Sequence, residues 1–343
     1  MTVRSRAVLI LSMLVLSIAA GRTLAAQELD ELRRWPLGGA VPPEACDAYR
    51  LLGTDSEPAC GLRGLRLTGL DDQPADDTST STPGPASEKE PPRRLLAALV
   101  AATEWSVSLA KATVPYELRS FHVSHEGFFG ANTIHGGADK ASHFVDYVII
   151  SKEFAFIFEK LGYSEASARW MGVGTAITGG LLNEVGDGFA SAGFSFEDLL
   201  MDTLGAATGA LLTATRLDDV VGFRSSLMND YNHDIYSMDL KLSGLARRLG
   251  INIGPLQYLL FSLTYGVKGY ANGSTAEPQR QVGLEIGVSL EEILKAAGAR
   301  RDTWWGWALH VVGDNIRFPY TAVGFRFDLN HYKWHGPNTG NFP

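Results

Sequence analysis

The sequence predicts an α+β protein: a small-residue-rich helical bundle followed by antiparallel β-strands, with a disordered linker near the N-terminus. Three observations carry this prediction. Apolar residues recur at helical spacing through residues 94–216, a stretch crowded with glycine and alanine. After Arg224 the period shifts from 3.6 to 2. Upstream, residues 71–93 contain almost no large apolar side chain and are dense in Pro, Ser, Thr and Asp, so they bury too little surface to order themselves.

The chain has 343 residues, 45% hydrophobic and 20% charged, enough for a sizeable core. Its formal charge of −8 argues against nucleic acid, which calls for a basic face.

Residues 1–26 read as a signal peptide. Arg4 and Arg6 are followed by an uncharged run from Ala7 to Ala20 and by Thr23-Leu24-Ala25-Ala26, small residues suited to cleavage. The run is shorter than the roughly 20 residues a membrane span needs. Residues 27–70 read as irregular. Cys46 and Cys60 lie there and could close a disulfide loop in an oxidising compartment.

Residues 94–216 form the expected helical core. Leu95, Leu96, Leu99, Val100, Thr103 and Val107 give a first amphipathic helix over residues 93–111, with Pro115 beyond it. Residues 116–136, with His122, His125 and His135 among Gly and Phe, read as a loop. A second helix starts near Gly137 or Ala138 and stops before Gly162. A third runs from the N-cap Ser164 to about Val185. A fourth has the best-marked start: Ser195 as N-cap, Asp198 at N3 to return the bond, and Phe194 with Leu199 as staple. It continues to about Thr215.

Residues 230–330 form the expected β region. Residues 235–242, 258–265, 281–289 and 321–329 alternate and read as half-buried antiparallel strands. Leu290 to Ala297 is a short helix between them, with Trp304, Trp305 and Trp307 nearby. Residues 331–343 read as a Gly/Pro/Asn tail.

The candidate chemistry sits in the central helices. Asp139, His143 and Asp146 are spaced i, i+4 and i+7, which puts them on one helix face beside Lys140. Glu184 and Asp187 are three apart; Asp198 and Asp202 are four apart. Glu184 stands out because it follows Asn183 and thirteen uncharged residues, Trp170 to Leu182. Three readings fit. In a structural polar network, Asp139 and Asp198 cap helices and Asp187 before Gly188 makes a turn. In a metal site, His143, Glu184 and Asp187 hold a divalent cation. In an acid–base site, His143, Glu184 and Asp202 are catalytic, with Asp139, Lys140 and Asp187 binding and Lys140 holding an anionic group. No P-loop, dinucleotide fingerprint, nucleophile elbow or His-Glu-x-x-His occurs.

Gly172, Gly174, Ala176, Gly179 and Gly180, and then Gly205, Ala206, Gly209 and Ala210, thin one face of two helices. Glycine inside a helix costs about 1 kcal/mol against alanine, so close backbone packing has to offset it. Such faces are common in membrane helices. The uncharged runs are shorter than a span, which favours buried or partly inserted helices, with a membrane domain as the alternative.

Asp139-Lys140-x-x-His143-Phe144, Asn183-Glu184-x-x-Asp187-Gly188 and Gly193-Phe194-Ser195-x-x-Asp198-Leu199, with Gly205 and Gly209, resemble the YfiM-type family of bacterial periplasmic (lipo)proteins, a domain of unknown function. The resemblance covers about residues 135–215. Tyr265-Gly266-Val267 and Arg280-Gln281 are similar to the C-terminal part of longer members. At motif level Asp139-Lys140-x-x-His143 before a Glu-bearing helix is also similar to VanZ-like membrane proteins. The resemblance implies an envelope location and no established activity. The expectation is an exported protein, periplasmic or outer-membrane-associated in a Gram-negative bacterium. Its expected role is structural or interactive, with a membrane or outer-membrane component as partner. The alternative is a metal-assisted or acid–base hydrolase or transferase acting on a lipid or cell-wall component.

Overall fold

The computed structural model describes residues 92–113, 118–226, 233–271 and 274–338. The expected signal peptide, the 27–70 segment with Cys46 and Cys60, the expected linker up to residue 91 and the last five residues of the tail lie outside the described residues.

Four helices form the bundle: α1 (Arg94–Thr113), α2 (Ala138–Lys160), α3 (Glu165–Gly188) and α4 (Phe196–Thr215). α2 packs against both α3 and α4, and α1 packs against α3. α1 buries Ala97, Val100, Glu104, Ser108 and Ala112, one stripe at helical spacing. It is the one described helix long and apolar enough to cross a membrane by length and composition. Gly136 and Gly137, both at positive φ, turn the chain into α2. A side chain at Gly137 would strike Phe129, so this entry requires glycine. Ser164 and Ser195 cap α3 and α4 as expected, each hydroxyl accepting from the amide three residues on. The bundle core is Ile150, Phe154, Phe158, Leu161, Val173 and their alanine neighbours. A two-stranded parallel pair, β1 (Val123–Ser124) and β2 (Phe194–Ser195), ties the loop before α2 to the start of α4.

The second half is a seven-stranded sheet. Its strands are β3 (Val221–Ser226), β4 (Asp234–Lys241), β5 (Leu259–Lys268), β6 (Gln279–Val288), β7 (Ile316–Arg317), β8 (Ala322–Asp328) and β9 (Lys333–Asn338). The order is β7-β3-β4-β5-β6-β8-β9, antiparallel except for β3 with β7. α5 (Leu242–Leu249), α6 (Leu290–Ala296) and α7 (Trp304–Asn315) connect the strands.

The sheet is polarised in an unusual sense. One face carries the rows Met238, Leu263, Leu284, Phe325 and Leu240, Phe261, Ile286, Val323, paired strand to strand. All eight are exposed; Leu284 is 66% and Phe325 53% accessible. The opposite face is buried and charged. Arg224 donates to Asp239 at 2.6 Å and to Ser262 at 3.3 Å. Glu285 on β6 accepts from Arg326 at 2.8 Å and from Arg317 at 2.6 Å. Arg317 belongs to β7, and three strands separate β7 from β6 in the sheet order. The sheet therefore curls until its charged face closes on itself.

Part of the apolar face meets the bundle. Val145, Val148, Ile149 and Phe144 of α2 pack on Phe223, Tyr236 and Tyr265. Glu153 of α2 accepts from the Trp307 indole of α7 at 2.9 Å. Bundle and sheet thus share buried contacts.

The four expected strands are present within two or three residues of their expected ends. Several elements differ from expectation. α3 runs to Gly188 instead of Val185, so Asp187 sits in its last turn and not in a separate turn. The tryptophan cluster opens α7, capped by Thr303. β3, β9 and the two-residue β1, β2 and β7 lie where no strand was expected, β1 within the expected 116–136 loop and β9 within the tail, and α5 lies where no helix was expected.

Candidate functional site

The site is built where α2, α3 and α4 come closest. A β-carbon at Gly205 would lie 2.3 Å from the Phe144 carbonyl oxygen, and one at Gly209 2.6 Å from that of Val148. These absent side chains let α4 sit directly on α2. Asp198 and Asp202 on α4 then face Asp139, Lys140 and His143 on α2. Gly180 does the same on α3: its β-carbon would lie 2.5 Å from Asp202 Oδ2.

Lys140 is buried and surrounded by carboxylates. Its ammonium lies 2.6 Å from Glu126, 3.1 Å from Asp139 and 2.6 Å from Asp198. Burial opposes its charge, yet Asp139, Asp198 and Glu126 outweigh this and raise its pKa. His143 Nδ1 lies 2.7 Å from Asp202 Oδ1, and its Nε2 lies 3.8 Å from Asp139 and 3.9 Å from Asp198. Burial pulls the His143 pKa down, but Asp198, Asp202 and Asp139 together hold it well above the usual value. Burial pushes Asp139 upward too; His143 and Lys140 prevail and hold it well below the usual value.

Glu184 accepts from the Ser195 backbone amide at 3.0 Å and is only 1% exposed. Burial pushes its carboxyl up to about 9. Burial also lifts Asp187 to about 7 and Asp202 to about 6. Glu126 rises to about 7, through burial and the adjacent Asp139. Asp187 accepts from Asn183 at 3.0 Å.

Six carboxyls therefore gather around one ammonium and one imidazole. Two groupings bring ligand-type atoms within 4.8 Å of one another: Asp139, His143, Asp198 and His143, Glu184, Asp202. Asp187, expected beside His143 and Glu184, is in neither; Asp202 stands in its place. Asp198 is the larger correction. Ser195 does cap α4, but the second half of the expected capping box is missing, because Glu184 accepts the Ser195 N–H. That leaves the Asp198 carboxylate to Lys140. Glu126 escaped sequence reasoning altogether, since it sits in an irregular loop with no helical spacing to mark it. On one side of the cluster a narrow cleft is lined by Glu104, Lys111, His143, Asp146 and Asn183.

Fold and site together define an α+β protein with a charged cluster buried in a helical bundle beside a narrow cleft. Residues 125–214 match the model of a family described as predicted periplasmic lipoprotein (DUF2279). The match runs from the loop before α2 into the end of α4 and includes all eight cluster residues. The family description supports an exported, periplasmic chain. No curated protein and no solved structure matches the chain.

Proposed function

We propose that this is an exported envelope protein that lies on a lipid membrane through the exposed apolar face of its sheet, with the charged cluster holding the bundle together. The supporting observation is the inverted sheet. Soluble antiparallel sheets bury the apolar face and wet the polar one. Here the charged face is inside and nine large apolar side chains are outside, the two rows named above plus Val288. Apolar-out, polar-in alternation belongs to strands that face lipid.

The magnitudes agree. A large apolar side chain removed from water contributes about 1.5–3 kcal/mol when fully buried. Nine partly exposed ones contribute on the order of 10 kcal/mol, comparable to micromolar affinity at about 8 kcal/mol. Tyr320 precedes β8 and Tyr332 follows it, both exposed, with Trp334 on β9. Aromatic residues of this kind favour the membrane–water boundary. From the Leu284 row to Val288 the exposed band covers about 13 Å at the usual rise per strand residue. That is less than half of a hydrocarbon core of about 30 Å, so the face fits one leaflet. A lipoprotein family description accords with a membrane-bound setting.

The test is flotation of the full chain with phospholipid vesicles. Wild type should float, and the Leu284→Glu, Phe325→Glu double variant should stay in the soluble fraction with unchanged circular dichroism. A wild type that stays soluble, or a variant that floats equally well, overturns the reading. A second reading is acid–base or metal-assisted hydrolysis or transfer on a lipid or cell-wall component. It draws on His143, which belongs to the buried cluster and also lines the cleft.

A further inference from the structure

We infer that His143, Glu184 and Asp202 form a centre for one divalent transition-metal cation of the zinc or manganese class, inside the helical bundle. The three residues come from α2, α3 and α4, and their ligand-type atoms lie within 4.8 Å of one another. Metal–ligand bonds of roughly 2.0–2.2 Å place neighbouring ligand atoms about 3–4 Å apart, so a small contraction closes the set. Donors projecting inward from facing helices are how bundles hold metals. One imidazole with two carboxylates suits zinc and manganese better than the all-oxygen shell that calcium takes.

An independent observation points to a ligand. Asp202 is 0% exposed, and its Oδ2 has no hydrogen-bond partner among the described residues. Such an oxygen costs about 1–3 kcal/mol if left unpaired. It packs against Gly180, one helical turn before Glu184, and so faces the same helix that carries Glu184.

The neighbouring grouping, Asp139, His143 and Asp198, is a poorer candidate. There the Lys140 ammonium already bridges Asp139 and Asp198. That cation neutralises one side of the cluster and leaves the Glu184 and Asp202 side with His143 alone. The Ser195 amide, bonded to Glu184, fixes one carboxylate in the manner of an outer-shell partner. The cleft beside His143 offers an entry path. This centre is independent of lipid binding, since its readout is cation content.

The experiment uses the untagged full chain, stripped with chelator and dialysed against zinc or manganese chloride, followed by elemental analysis and thermal melts. One cation per chain with a raised Tm is expected. Asp202→Asn, close to isosteric, and His143→Ala should each weaken binding at least tenfold. Asp139→Asn should keep the stoichiometry. If His143→Ala does not fold, Asp202→Asn alone decides. No stoichiometric cation in the wild type, or unchanged binding in Asp202→Asn, overturns the inference. Loss in Asp139→Asn with retention in Asp202→Asn moves the cation to the other grouping and also overturns it.

Discussion

Glu184 takes the Ser195 amide in a nearly dry setting, and its raised pKa keeps it an uncharged acid at neutral pH. Glu184→Gln retains an acceptor and should cost less than about 1 kcal/mol. Glu184→Ala strands the Ser195 N–H and should cost about 1–3 kcal/mol, read by urea unfolding. The pH dependence has a definite sign. The folded pKa of Glu184, about 9, exceeds its ordinary 4.5. Its contribution is complete below about 4.5 and is lost as pH rises through 9. His143, also raised, contributes fully below 6.5 and loses that contribution as pH rises through its folded value. Metal-free protein should therefore melt at lower temperature as pH goes from 5 to 9, and less steeply in Glu184→Gln. A flat wild-type profile would contradict this. His143, Glu184 and Asp202 were legible in the sequence because they interrupt apolar helix faces, where an acid or imidazole needs a reason. The role of Asp198 was not legible, because a sound local explanation, the capping box, competes with its tertiary pairing to Lys140. Glu126 needed the fold itself, since its partner Lys140 lies fourteen residues away across an irregular loop.

At the scale of elements, the glycines of α3 and α4 divide into two kinds. Gly205 and Gly209 sit against α2 backbone, and Gly172 would place a β-carbon 2.5 Å from the Ser151 carbonyl oxygen. Nothing lies within 4 Å of a β-carbon at Gly174. Gly209→Ala should therefore destabilise by about 1–3 kcal/mol, because it forces two helices apart. Gly174→Ala should stabilise by up to about 1 kcal/mol through helix propensity alone. Thermal denaturation of the two variants against wild type reads both signs; equal shifts would remove the packing account. The four bundle helices, α6 and the long strands β4, β5, β6 and β8 were legible, since the 3.6 and 2 periods are properties of the chain; the eight-residue α5 and the two-residue β1, β2 and β7 are too short to show a period, and α7 was marked only by its tryptophans. β3 was hidden because Gly222, Arg224 and two serines dilute its apolar alternation. β9 was hidden because Gly336, Pro337 and Asn338 imitate a loop, and its pairing with β8 is a tertiary fact.

At the scale of the molecule, the period of the strands was legible but the sense of the sheet was not. Alternation says that one face is buried, and by itself does not say which. What decides here is a set of ion pairs between residues far apart in sequence. Glu285 lies between Arg326 and Arg317, each of the three side chains almost wholly buried. Through Arg317 it ties β7 to β6 across the curl. Removing the shared carboxylate leaves two guanidiniums buried without it, so Glu285→Ala should cost about 3–5 kcal/mol, the usual result of breaking a buried pair from one side. The effect should not stay within the sheet. Phe144 packs on Phe223 and Glu153 holds the Trp307 indole, so bundle and sheet lose buried contacts together. Far-UV circular dichroism, dominated by the helices, and fluorescence from the C-terminal tryptophans should report one coincident transition, shifted down together in Glu285→Ala. If the fluorescence transition drops while the helical signal keeps its wild-type midpoint, the shared core does not couple the two halves.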